Sequence, residues 1–199
     1  MGRRIAITGG IGSGKSSVLQ CVQTLGYPVF SCDEIYSHVI QTPEYIQKIS
    51  ETFPTVVVNG RVDKKKLASI VFQNDELRQK LNEIAHPLIM SRLYAEMGQS
   101  QSDFVFAEVP LFFEGGYENE FDAVIVVDRR EEDRIRSVCE RDSISIIEAK
   151  SRIHAQKRFY EWLQEEKILP LFIIENNSNY IELKAKTHET IQAIVKHFS

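Results

Sequence analysis

Residues 6–18 read AITGGIGSGKSSV, four glycines running into Lys15, Ser16 and Ser17 directly after a short apolar run. Gly9, four residues and then Gly14-Lys15-Ser16 give the spacing G-x-x-x-x-G-K-S, the phosphate-binding loop of nucleoside triphosphate enzymes. Glycines carry no Cβ and tolerate positive φ, so successive N–H groups can turn inward around phosphate oxygens at the positive end of the next helix. Lys15 would bridge the β- and γ-phosphates, and the Ser16 hydroxyl would ligate Mg²⁺, a hard cation that takes oxygen donors. The bland reading is a glycine-rich turn with a chance Lys-Ser. Context opposes it: Arg3 to Thr8 reads as a buried first strand and Ser17 to Val22 as the opening of a helix, in the order the loop demands.

That strand–loop–helix unit recurs as a pattern. Short apolar, β-rich runs alternate with longer helical stretches, which predicts an α/β fold with a doubly wound, mostly parallel five-stranded sheet. The strand candidates are residues 4–8, 28–31, 103–107, 123–127 and 171–174. The last helix is marked by Ile191, Ile194, Val195 and Phe198 at i, i+3, i+4 and i+7. With 199 residues, 43% of them hydrophobic, the chain is expected to form one globular domain over residues 1–199 with room for an inserted subdomain. Residues 34–98 are mostly helical and too long for a simple crossover, so they are assigned to a subdomain on the substrate side. Within them, residues 68–90 predict a helix, a cap at Asn74-Asp75, a second helix and a break at His86-Pro87 after which a helix restarts. His86 has two readings, a helix cap or a ligand-binding group, and both stay open.

Composition narrows the function classes. The net charge of −4 disfavours a general nucleic-acid binder, which advertises a basic surface. No apolar run is long enough to cross a bilayer and no basic-then-apolar leader occurs, so no membrane partner and a cytoplasmic location are expected. Cys21, Cys32 and Cys139 lack metal-ligand spacing and are expected to be reduced structural thiols. A monomer is expected, with an oligomer left open.

In open parallel sheets ligands gather beyond the carboxyl ends of the strands, which singles out three acids. Asp33 follows the second strand, Glu108 ends the third, and Glu114 comes shortly after in PLFFEGG. Asp33 could accept the proton of an acceptor hydroxyl as the γ-phosphoryl moves to it, or it could cap a helix starting at Glu34; position alone does not choose. Glu108 sits where an acid orders Mg²⁺ or its waters. Asp128, at the end of the fourth strand, could equally cap a helix beginning near Glu131 and is assigned no catalytic role. Residues 129–158 hold nine Lys+Arg against six Asp+Glu. This is either a solvated helical face or a lid that brings cations over anionic phosphates. Among its cations, Arg134, Arg136, Arg141, Arg152, Lys157 and Arg158, the one best placed to reach a nucleotide is Arg141, before Asp142-Ser143 where the helix should end.

Taken together these segments resemble the dephospho-coenzyme A kinase family. ITGGIGSGKS, CDEI, GRVDKKKLASIVF, HP, EVPLFFE, DAVIVVD, ERD, RIHAQ and IIENN stand in the family's order along nearly the whole chain. The phosphate loop is shared with many kinases, whereas its combination with HP and PLFFE is much more specific. The resemblance implies a P-loop NTPase fold and MgATP-dependent phosphorylation of the ribose 3′-hydroxyl of dephospho-coenzyme A. It implies ATP contacts at Gly10, Ile11, Gly12, Ser13, Gly14, Lys15, Ser16, Ser17 and Asn176. Acceptor contacts are implied at Thr8, Asp33, His86, Leu111 and Glu114, and magnesium contacts at Ser16 and Glu108. Asp33, Lys15 and Arg141 would carry the catalysis, residues 34–98 would hold the coenzyme A end, and residues 129–158 would form the lid.

The chain also departs from that pattern. Glu108 replaces the usual aspartate, and Lys64 replaces an arginine, losing a fork that grips phosphate at two points. Ser137 stands where an arginine is expected, with Arg136 beside it, and Pro170-Leu171 replaces Ala-Asp. The stretch from Gln156 to Asn176 is longer than usual. The nearest rival is another small-molecule kinase on the same scaffold, acting on a nucleoside, a nucleotide or a sugar acid. A GTP-dependent switch would carry an N-K-x-D motif, and none occurs.

Overall fold

The computed structural model describes residues 2–72, 74–154, 156 and 169–199, which fall into two compact units. The first comprises residues 1–29 and 100–199, the second residues 30–99.

The first unit is built on strand β1 (Arg3–Thr8), with β2 (Val29–Ser31) carrying the chain across the boundary between the units, and β5 (Phe104–Glu108), β6 (Ala123–Asp128) and β7 (Leu171–Glu175) beside it. The sheet order is β2-β5-β1-β6-β7, and the β1–β5, β1–β6 and β6–β7 pairs are parallel. Ile5, Ala6 and Ile7 are buried, as expected of a central parallel strand covered on both faces. Because β5 and β6 flank β1, the strand order reverses at β1, and the loop leaving its carboxyl end stands at the switch point where open α/β sheets bind ligands.

Helices α1 (Lys15–Thr24) and α8 (Tyr180–Phe198) contribute Val18, Val22, Leu183, Ile191 and Ile194 to the core built on Ile5, Ile7, Phe106, Ile125 and Val127. The Asn179 side chain caps α8 by accepting from the Ile181 and Glu182 amides at 2.9 and 3.1 Å, which explains why the helix begins there. A smaller cluster joins α6 (Glu131–Asp142) to α7 (Ile146–His154) through Ile135, Val138, Ala149 and Ile153, and Ile11 of the phosphate loop packs against it.

The second unit holds α2 (Cys32–Val39), α3 (Pro43–Thr52), the two-residue strands β3 (Val57–Val58) and β4 (Arg61–Val62), α4 (Lys64–Phe72) and α5 (Asp75–Gly98). Ile35, Val39, Tyr45, Ile49, Leu67 and Leu93 are among its buried residues. The β3–β4 hairpin was not foreseen, although Asn59-Gly60 is its signal: both residues have positive φ, 51° and 71°, as a tight hairpin turn requires.

Three local expectations are corrected. The expected break at His86-Pro87 does not occur, and α5 runs unbroken from Asp75 to Gly98 with Pro87 inside it. Pro87 is exposed, while Ala85, Met90, Leu93 and Met97 are buried, so packing of the inner face outweighs the hydrogen bond that proline removes. His86 is therefore a mid-helix residue and not a cap. Asp33 is not the cap of a helix starting at Glu34, because α2 starts at Cys32 and its N-cap position is Ser31. Asp128 ends β6, and the N-cap position of α6 falls on Arg130. The expected cap at Asn74 is present, its side chain accepting from the Leu77 amide at 3.0 Å.

Candidate active site

The phosphate loop leaves β1 at Thr8, which is buried, and turns into α1 at Gly14. Gly14 has φ 95° and a Cβ there would collide with Nδ2 of Asn176, so both backbone and neighbour demand glycine. The Asn176 side chain, buried at the end of β7, donates to the Ser13 carbonyl at 2.8 Å. Lys15 Nζ lies over the loop, donating to the Gly9 and Gly10 carbonyls at 3.0 and 3.3 Å. Its ammonium is thus held at the mouth by neutral oxygens, where a phosphate would compete for it.

In the first turn of α1 the Ser16 hydroxyl stands 3.4 Å from both carboxylate oxygens of Glu108. The β1–β5 register places Glu108 beside Ile7, and Glu108 is only 6% exposed. Beyond β5, Leu111 adopts φ 54° and accepts a hydrogen bond from the Gly115 amide at 2.9 Å, forming the turn that carries the exposed Glu114.

Ile11 is turned outward. Its amide donates to Gln156 Oε1 at 2.7 Å, its carbonyl accepts from Arg134 Nε at 2.9 Å, and its side chain belongs to the α6–α7 cluster. The Ser13 amide is likewise used within the loop, by the Gly10 carbonyl at 3.1 Å, and its buried hydroxyl has no hydrogen-bond partner among the described residues. Ser17 is held by the Gly14 carbonyl at 3.0 Å. The N–H groups of Gly12 and Gly14 find no acceptor among the described residues, which leaves them as donors for an anion.

Arg141 lies at the end of α6, where Ser143 stops the helix with φ 54°. Its fork closes on Asp142 at 2.7 and 3.0 Å, and Arg152 reaches the same carboxylate at 2.9 Å. The Arg141 hydrogen bonds, with the charges of Arg141 and Arg152, hold the Asp142 carboxyl below its usual range. Of the other expected cations in this segment, Lys157 and Arg158 lie outside the described residues. Asp33 and His86 belong to the second unit. Asp33 is exposed in the first turn of α2, and burial lowers the His86 pKa below its ordinary value.

Three residues around the loop were not expected to act on it: Arg129, Arg134 and Gln156. Arg129 Nη1 donates to Ser137 Oγ at 2.7 Å and to the Gly12 carbonyl at 3.3 Å. A signal for Arg134 was present, since it lies four residues before Val138 and so shares the apolar face of α6 with it.

A doubly wound parallel sheet, with this loop at its switch point, a lysine on the loop's carbonyls and a hydroxyl beside a carboxylate at the start of the next helix, defines a kinase of the P-loop class. Residues 3–182 match the family described as dephospho-CoA kinase, and the chain belongs to that family. It is 35% identical to the dephospho-CoA kinase of Geobacillus kaustophilus, over 98% of this chain and 96% of that protein. A crystal structure from Thermus thermophilus superposes with a TM-score of 0.81 at 30% identity, covering 100% of this chain and 98% of the other. The dephospho-CoA kinase structure from Campylobacter jejuni gives 0.69 at 28% identity, with both chains fully covered.

Proposed function

We infer that the protein transfers the γ-phosphoryl group of ATP to the ribose 3′-hydroxyl of dephospho-coenzyme A, giving coenzyme A and ADP. The observation that carries this reading is the family match, which runs through both compact units.

In this reading the bond from the γ-phosphorus to the β,γ-bridging oxygen breaks as a bond to the 3′-oxygen forms. The hydroxyl proton passes to the Asp33 carboxylate, and ADP leaves. Lys15 exchanges its loop carbonyls for phosphate oxygens and meets the charge that grows on them. The Gly12 and Gly14 amides donate to the phosphates. Arg141 adds a cation from residues 129–158 after leaving Asp142, and Asn176 fixes the loop beside the nucleotide. Residues 34–98, with His86, and residues Thr8, Leu111 and Glu114 would receive the acceptor.

Ser16 and Glu108 fit Mg²⁺. Both are hard oxygen donors, and among the described residues no group of three or more His, Cys, Asp or Glu could hold a metal by itself. Magnesium suits such a sparse set because it keeps several waters and completes its shell from substrate phosphates, where it neutralises developing charge. Glu108 is longer than the aspartate usual in the family and would still supply an oxygen donor to the cation or to its waters.

No helix among the described residues is long and apolar enough to cross a membrane. The cytoplasm is the location proposed together with the kinase reading. A monomer is the simplest working unit. The test is incubation of the purified protein with MgATP and an acceptor panel of dephospho-coenzyme A, adenosine, a nucleotide and a sugar acid. Formation of the 3′-phosphorylated product with one ADP for each transfer is expected for dephospho-coenzyme A. Faster phosphorylation of adenosine or of the sugar acid would transfer the assignment to the rival small-molecule kinases.

A further inference from the structure

Every carbonyl of the phosphate loop from Gly9 to Gly14 accepts a hydrogen bond inside the protein. Gly9 and Gly10 are taken by Lys15, and Gly14 by the first amides of α1, those of Ser17 and Val18 at 3.0 and 3.2 Å. The middle three are held by side chains from distant parts of the chain: Ile11 by Arg134 at 2.9 Å, Gly12 by Arg129 at 3.3 Å and Ser13 by Asn176 at 2.8 Å. An anion site needs this arrangement. A carbonyl rotated inward would remove an N–H from the phosphate and replace it with negative partial charge.

Arg134 is the most committed of the three. It is 3% exposed, and burying a guanidinium is costly unless its donors are used. Its fork lies so close to Gly10 that a Cβ there would collide with Nη2, and its own backbone oxygen would stand 2.7 Å from a Cβ at Gly12. Two of the loop's glycines are therefore required by the arginine as well as by a phosphate. The Ile11 amide, held by Gln156 at 2.7 Å, faces outward with its carbonyl.

We propose that Arg134 is a positioning residue of the ATP site: it holds the Ile11 carbonyl away from the phosphates and lends its positive charge through the loop, without touching the nucleotide. Arg129 does the same at Gly12 from the end of β6. The proposal rests on the ATP reading above and adds to it a residue that acts through the backbone.

The test uses Arg134→Met, which fills the space without a donor or a charge, and Arg134→Lys, which restores the charge and one donor. For Arg134→Met the ATP KM should rise about tenfold or more while the dephospho-coenzyme A KM stays within about twofold. The upward shift of the thermal midpoint by MgATP should shrink in parallel, and Arg134→Lys should fall between Met and the wild type. A folded Arg134→Met with a wild-type ATP KM overturns the proposal, and so does an equal rise in both KM values. If Arg134→Met does not fold, Arg134→Lys decides: a normal midpoint with a raised ATP KM sustains the proposal, while a wild-type KM or failure to fold refutes it. Wild-type protein that shows no transfer would undo the kinase reading alone, because the MgATP midpoint shift still reports on Arg134.

Discussion

Ser16 Oγ lies 3.4 Å from each carboxylate oxygen of Glu108, although 92 residues separate them in the chain. One is on the first turn of α1 and the other on the last residue of β5, and only the parallel pairing of β1 with β5 brings them together. In the proposed function these two oxygen donors would hold a magnesium ion beside the phosphate loop. Glu108→Gln keeps the shape and removes the charge. The magnesium concentration needed for half-maximal rate should rise by about tenfold, with the thermal midpoint nearly unchanged. A rate-versus-magnesium titration that overlays the wild type would remove Glu108 from the metal site.

Lys15→Ala tests the phosphate side. The ammonium donates to two carbonyls of the loop itself, at 3.0 and 3.3 Å, and its loss is expected to spare the fold. The rate of transfer should fall on the order of 10³-fold or more. Near-normal turnover would contradict a kinase mechanism centred on this loop.

Asp33→Asn separates proton transfer from stability. Asp33 is exposed within the first turn of α2 and is not its cap, so little stability depends on the side chain. Turnover should drop by about 10² to 10⁴ with ATP binding retained, the usual worth of a positioned base. Full turnover would send the search for the base to Glu108.

Pro87→Ala addresses α5. Restoring the amide at residue 87 returns a donor to the Glu83 carbonyl on an exposed face of the helix. A gain of about 1–2 kcal/mol in urea unfolding is expected, since proline disfavours helix interiors. A loss would mean that the proline ring is required by the packing around it.

Stability should also depend on His86. Burial lowers its pKa below the ordinary 6.5, so the folded protein binds the proton less readily than the unfolded chain does. Stability contributed by the neutral ring is therefore complete above 6.5 and declines as pH falls from there toward the lowered value. Urea midpoints of the wild type should drop on acidification through this window, and His86→Gln should flatten the slope. Identical slopes for the two proteins would assign the pH dependence to other groups.

Reading the chain residue by residue was enough for the parts whose causes are local. The phosphate loop, the strand that leads into it and the cap at Asn74 depend on neighbours within a few positions: a missing Cβ, a run of β-rich side chains, an amide three residues away. Asn59-Gly60 was equally legible and was overlooked. The break expected at Pro87 was a sound local inference that lost, because the burial of Met90, Leu93 and Met97 outweighs one missing hydrogen bond. Arg134, Arg129 and Gln156 reach the loop from 117 to 145 positions away, and no spacing rule links such residues. Their meeting follows from the sheet order and from the packing of Ile11 into the α6–α7 cluster. Propensity and backbone stereochemistry act along the chain, whereas burial acts on surfaces that exist only once the chain has folded.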